Sequence, residues 1–239
     1  MNLIEAPSPN FDFRVAPPKM IVLHYTGMQT GEAALARLRD PDAKVSAHYM
    51  VEEDGRVFRL VPEERRAWHA GKSFWRGTRD VNSASIGVEI VNPGHEFGYR
   101  AFPDAQIAAV IELLGDIRSR WRIEDVDIVG HADVAPERKE DPGELFPWKR
   151  LAESGHGLWV EAPPAPGEPL KPGDDGTGVF ALQAGFTRLG YDSPPSGQFD
   201  EATAAIVRAF QRHWRQSRVD GIADGESRAQ LIALLRRIG

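Results

Sequence analysis

Seven histidines stand in a chain of 239 residues that contains no cysteine. Disulfides, thiolate metal sites and a Cys nucleophile are thereby excluded, and any metal chemistry falls to imidazole and carboxylate groups. His24 closes the apolar run MIVLH and His131 closes a second, VDIVGH. Two imidazoles at the ends of neighbouring strands can converge on one ion. Asp141 lies ten residues beyond His131, within GHADVAPERKEDPGELFPW. Two His plus one carboxylate, with a fourth position left for water, is a standard catalytic zinc arrangement. Lys139 is two residues from Asp141, and in an extended stretch such positions point the same way. No compact HExxH-type spacing ties the set together, so the residue types suggest a site without fixing it.

Glu89 is the other candidate. It interrupts the apolar, β-branched run SIGVEIVN, where a buried unpaired carboxylate is costly. Either it pairs with an Arg or faces solvent on the polar side of its strand, or it is a general base whose pKa is tuned by its surroundings.

The elements that must position these groups read as a mixed α/β domain. Lys19 to Thr26 is a short buried strand after Pro17 and Pro18, and Gly31 to Arg39 is helical up to Asp40-Pro41. SAHYMVEEDGRVFRLV predicts a hairpin with Asp54-Gly55 as its tight turn. Ala84 to Asn92 and Val126 to His131 read as further strands. Ile107, Val110, Ile111, Leu114, Ile117 and Trp121 recur at helical spacing after Pro103. A central sheet flanked by helices is the expected layering.

EAPPAPGEPLKPGDDG, residues 161 to 176, is rich in Pro, Gly and acidic residues and reads as a linker. The expected boundaries are a catalytic domain over 1–160, a linker over 161–175 and a small domain over 176–239. That last part reads as three short helices. Val179, Leu182, Phe186 and Leu189 stripe the first, up to Gly190; Asp200 caps the second, which carries Ile206, Val207, Phe210 and Trp214; Leu231, Leu234, Leu235 and Ile238 mark the third. About 60 residues would be marginally stable alone, more fitting for a binding appendage than a catalytic unit.

Hydrophobic residues at 41% and charged residues at 27% are an ordinary globular balance. The net charge of −6 is unevenly divided: −8 over the first 175 residues and +2 beyond them. No dense basic stripe is present, which argues against a nucleic-acid partner. No segment approaches the ~20 apolar residues of a membrane span. MNLIEAPSPNFDFRV shows neither a signal peptide nor the Cys of a lipoprotein. The expected compartment is the cytoplasm, or the periplasm if the sequence is trimmed.

LHYT, SAHYMVEEDG, RAWHAG, NSASIGVEI and GHADVAPERKEDPG, in that order, resemble zinc-dependent N-acetylmuramoyl-L-alanine amidases of the AmpD/AmiD type, nearer the AmiD branch. The resemblance covers roughly residues 17 to 150. GVFALQAGFTRLGY and GQFDEATAAIVRAFQ resemble a three-helix peptidoglycan-binding domain. The implied fold is that of peptidoglycan recognition proteins and phage-lysozyme-like amidases. Carried over by position, the resemblance implies zinc ligands at His24, His131 and Asp141, a catalytic glutamate at Glu89 and a transition-state lysine at Lys139. It also implies His69, of HAG, near the substrate, and we expect Trp75 and Asn92 to share that contact. The phage-lysozyme branch has a tyrosine near the metal where this chain has Ala47, and Cys where it has Asp141. The implied activity is zinc-dependent hydrolysis of the amide between N-acetylmuramic acid, or its 1,6-anhydro form, and L-alanine, on muropeptides or the polymer. A rival reading is a non-catalytic muropeptide-binding protein of the same fold; another is a peptidase cutting a different cell-wall bond.

Overall fold

A computed structural model spans Met1–Gly239. Its first part is built on a six-stranded sheet and its last on three helices. In chain order the elements are β1 (Leu3–Glu5), β2 (Phe11–Phe13), β3 (Met20–Tyr25), α1 (Gly31–Arg39), β4 (Tyr49–Val51), β5 (Val57–Arg59), β6 (Arg65–Ala67), α2 (Val81–Ala84), β7 (Ser85–Ile90), α3 (Gly94–Phe97), α4 (Asp104–Arg120), a 3-10 turn (Asp125–Asp127), β8 (Ile128–Gly130), α5 (His131–Val134), α6 (Trp148–Glu153), α7 (Thr177–Leu189), α8 (Glu201–Trp214) and α9 (Gly225–Arg237).

The sheet order is β1-β5-β4-β7-β3-β8. β4, β7, β3 and β8 run parallel, whereas β5 returns antiparallel to β4. The parallel strands are apolar on both faces because both faces are covered. Ile21, Leu23, Ile86, Val88 and Ile90 pack under α4 through Ile107, Val110, Leu114 and Ile117. On the opposite face Met50 meets Ala34 and Leu38 of α1. Met20, Val22 and Val129 there join Val134, Phe186, Tyr191 and Phe210, so one apolar core runs from the sheet into the terminal helices.

The hairpin of β4 and β5 forms around a tight turn that contains Asp54 and Gly55: Gly55 N–H donates to the Glu52 carbonyl at 2.9 Å, and Glu52 N–H donates to the Arg56 carbonyl at 2.8 Å, which leaves a three-residue loop. The 161–175 segment lies on the helical unit: Leu170 pairs with Ala223 in an antiparallel bridge and Ala165 N–H donates to the Gly225 carbonyl at 2.7 Å. His131 opens the short helix α5 rather than closing a strand, because the chain turns directly after Gly130. Residues 135–141 form a turn and loop, not an extended run, so alternation along a strand is not what brings Lys139 and Asp141 to one side. Arg138 and Lys139 N–H groups both donate to the Ala135 carbonyl at 3.0 Å, which curls the segment back.

Candidate metal centre

Strand order explains the convergence. β3 lies between β7 and β8, and all three run the same way. His24 at the end of β3 is the register partner of Glu89 on β7, while Leu23 pairs with Gly130, just before His131. Three residues far apart in sequence thus meet at the carboxyl ends of adjacent parallel strands, where open α/β sheets place ligands. The His131 turn is tied to the incoming loop by Ala132 N–H donating to the Asp141 carbonyl at 2.8 Å.

The result is a compact triangle. His24 Nδ1 is 2.9 Å from His131 Nδ1 and 3.1 Å from Asp141 Oδ2, and His131 Nδ1 is 3.0 Å from the same oxygen. All three residues are buried. The outer ring nitrogens show which way the inner ones face. His131 Nε2 is 3.1 Å from the Ala70 carbonyl, an acceptor, so this nitrogen carries the proton. Ser85 Oγ donates to the Val81 carbonyl at 2.6 Å and so accepts from His69 Nε2 at 3.2 Å. His69 Nδ1 is then left to accept from His24 Nε2 at 3.0 Å. Burial first, and then the facing His131, lower the His24 pKa to about 4 despite Asp141, which keeps the ring neutral. Two Nδ1 lone pairs and a carboxylate oxygen therefore point at one spot. Three acceptors without a proton among them repel unless a cation sits between them, and their edges approach the roughly 3.3 Å that a tetrahedral ion with ~2.0–2.1 Å bonds requires. The donor set fits a metal ion.

Glu89 lies beside this triangle on the cleft floor, and its Oε2 is buried without a hydrogen-bond partner. Burial and then the Asp141 charge push its carboxyl well above the usual range, with the Lys139 ammonium acting in the opposite sense. A carboxyl with a raised pKa, an unpaired oxygen and an open cleft in front of it is suited to exchanging a proton with whatever enters. Lys139 lines the same cleft, an opening of about 420 Å³ bounded by Trp68, His95, Arg138 and α1 residues Arg37 and Leu38.

The other expected contacts fall differently. His69 lines the cleft, but both its ring nitrogens are engaged, by His24 and Ser85. Its contacts are those of a group that orients a ligand. Gly87 makes room for it: a Cβ there would lie 2.5 Å from His69 Cγ. The glycine inside SIGVEI was the available signal, since Gly within a strand marks close approach of another group. Trp75 has no exposed surface; it packs edge-on against Tyr191 at 5.1 Å, away from the cleft. Asn92 is buried too and holds the turn before the cleft wall, its Oδ1 accepting from Gly94 N–H at 3.1 Å and its Nδ2 donating to the Arg100 carbonyl at 2.7 Å. Neither reaches the cleft, because local turn geometry and domain packing claim their side chains.

Taken together, a buried His2Asp set and an unpartnered carboxyl at the end of a parallel sheet have the make-up of a hydrolytic metal centre. The N-acetylmuramoyl-L-alanine amidase family matches residues 14–144, and the chain belongs to this family. The peptidoglycan binding domain family matches residues 175–231. The chain is 38% identical over 241 residues to N-acetylmuramoyl-L-alanine amidase AmiD of Escherichia coli K12, covering 92% of this chain and 83% of that one. It is 36% identical over 171 residues to 1,6-anhydro-N-acetylmuramyl-L-alanine amidase AmpD of Salmonella typhimurium SL1344, covering 62% of this chain and 89% of that one. Among solved structures, Escherichia coli AmiD in complex with anhydro-N-acetylmuramic acid-L-Ala-D-gamma-Glu-L-Lys superposes with a TM-score of 0.80 at 37% identity, over 94% of this chain and 91% of that one. AmpDh3 of Pseudomonas aeruginosa with an anhydromuramic pentapeptide gives 0.78 at 31%, over 93% of each. No helix of the chain is long and apolar enough to cross a membrane.

Proposed function

We propose that the chain hydrolyses the amide between N-acetylmuramic acid, or its 1,6-anhydro form, and L-alanine of peptidoglycan fragments, with zinc held by His24 Nδ1, His131 Nδ1 and Asp141 Oδ2. The observation that carries the reading is Glu89 Oε2, buried and unpartnered beside the three convergent donors. Two imidazoles and one carboxylate suit zinc. The bound ion supplies Lewis acidity, acidifying water and polarising a carbonyl oxygen.

The chain's own groups do the rest. Glu89 Oε2 takes the proton of the attacking water and delivers it to the alanine nitrogen as the amide bond breaks. That oxygen has no hydrogen-bond partner of its own, which leaves it free to hold the proton between the two halves of the transfer. Lys139 presents positive charge to the cleft, where the lactyl carbonyl oxygen becomes an oxyanion, an effect typically worth several kcal/mol. His69 and the Ala70 carbonyl hold the two imidazoles in the tautomer that leaves Nδ1 free. Trp68 at the cleft rim offers an apolar face to sugar or peptide.

A purely muropeptide-binding role would have no use for a proton-exchanging carboxyl next to a complete ligand set. The test is digestion of defined muropeptides, anhydro and non-anhydro, with and without a chelator. Mass spectrometry should find an intact lactyl group on the sugar and a free L-alanine amine, and chelation should abolish both. A cut within the peptide, or full turnover after metal removal, overturns the reading.

A further inference from the structure

The helical unit grips the very loop that carries the second half of the ligand set. Asp133, buried on α5 two residues after His131, is the centre of the contact. Its Oδ2 accepts from Gly130 N–H at 2.8 Å and from His213 Nδ1 at 2.7 Å, and its Oδ1 accepts from Tyr191 Oη at 2.7 Å. His213 is stacked between Trp148 and Trp214, with ring centroids 3.6 Å from each. Further along the same loop, Arg212 pairs with Glu140 at 2.8 Å, and Gln216 Nε2 donates to the Glu144 and Phe146 carbonyls, each at 2.7 Å. Residues 130 to 146, which include His131, Lys139 and Asp141, have few regular elements of their own. Their position is set from outside.

We propose that Asp133, with Tyr191 and His213, is a positioning device through which the helical unit sets the geometry of His131, Asp141 and Lys139, and thereby the metal affinity and the turnover rate. This goes beyond a role for that unit in holding peptidoglycan, and it rests on the zinc-amidase reading above. Three donors meet one carboxylate, so the contact is directional rather than merely apolar: charge-assisted hydrogen bonds are short and fix angle as well as distance. Asparagine at 133 would present an N–H to one of three donors. Outer groups that orient metal ligands typically change metal affinity by about 10–100-fold when lost.

The full-length protein is tested as Y191F, H213F and H213N, measuring zinc affinity by competition with a chromogenic chelator, kcat and KM on one soluble muropeptide, and the melting temperature. Y191F removes a single hydroxyl and H213F the ring donor, whereas Asn at 213 restores a donor close to the Nδ1 position. Y191F and H213F are expected to weaken zinc binding about tenfold and to lower kcat with KM unchanged, and H213N to recover most of both. Zinc affinity equal to wild type in Y191F and H213F overturns the proposal, whatever happens to the melting temperature. So does a change confined to KM, which would mark the unit as a substrate grip only. If the wild-type protein itself fails to bind zinc, the zinc-amidase reading falls instead, and the two failures are told apart.

Discussion

His24 and Glu89 are register partners on adjacent parallel strands, their side chains on one face of the sheet at its carboxyl end. One is a metal-ligand candidate and the other has a buried, unpartnered carboxyl oxygen. Their relation is fixed by the β3–β7 ladder and not by a loop. Glu89→Gln keeps the shape and removes the exchangeable proton. Turnover should fall on the order of 10²–10⁴-fold while zinc content, read by atomic absorption, stays stoichiometric. Wild-type turnover would remove Glu89 from the reaction.

Gly87 stands under the His69 ring, and a Cβ added there would lie 2.5 Å from His69 Cγ. Gly87→Ala must therefore push His69 off His24 Nε2, although neither the substitution nor His69 touches the ion. Zinc affinity should drop about 10-fold or more, and adding excess zinc should restore most of the activity. Unchanged affinity would show that the His69–His24 contact does not orient the ligand.

Much of this arrangement was legible in the residues. β3 and β7 are short, largely apolar runs, α4 and the three terminal helices carry apolar stripes at helical spacing, and all of them form where expected. His24, His131 and Asp141 do come together. Other parts were hidden because their partners are remote. β1 and β2 are three residues each and exist only by pairing with Val57–Arg59 and Arg65–Ala67, so no local period announces them. Trp75 sits beside the HAG motif in sequence, yet it packs on Tyr191, a residue more than a hundred positions away. Asp133 in HADV looks like any exposed acid; beyond the local Gly130 N–H, its two other donors, Tyr191 and His213, come only with the folded helical unit.

Metal removal should be felt by the fold as well as by the reaction. Without a cation the two Nδ1 lone pairs and Asp141 Oδ2 are held about 3.0 Å apart with nothing to offset their repulsion. A ligand that binds only the native state stabilises it by RT ln(1 + [L]/Kd), about 2.7 kcal/mol at one hundred times Kd. The chelated protein should melt several degrees lower than the zinc-loaded one, and the gap should grow with free zinc. An identical melting temperature in chelator and in zinc would contradict a buried metal site.

Glu63 offers a pH test far from the cleft. It is buried, and burial alone would raise its pKa. Arg120 donates to it at 2.8 and 2.9 Å, Tyr49 at 2.7 Å and Trp121 at 2.6 Å, and together these bonds outweigh burial and hold the carboxyl below the usual range. A carboxyl depressed in the folded state stabilises it fully above its unfolded pKa of about 4.3, and that contribution is lost as pH falls through the lower folded value. Glu63→Gln leaves Arg120 facing a neutral amide and should cost about 2 kcal/mol at pH 7. Urea midpoints measured from pH 7 down to pH 3 should show the gap between wild type and Glu63→Gln narrowing below pH ~4.3, because the wild type loses the ionised form that the variant never had. A gap that stays constant over this range would mean that the charge of Glu63 contributes nothing and its packing everything.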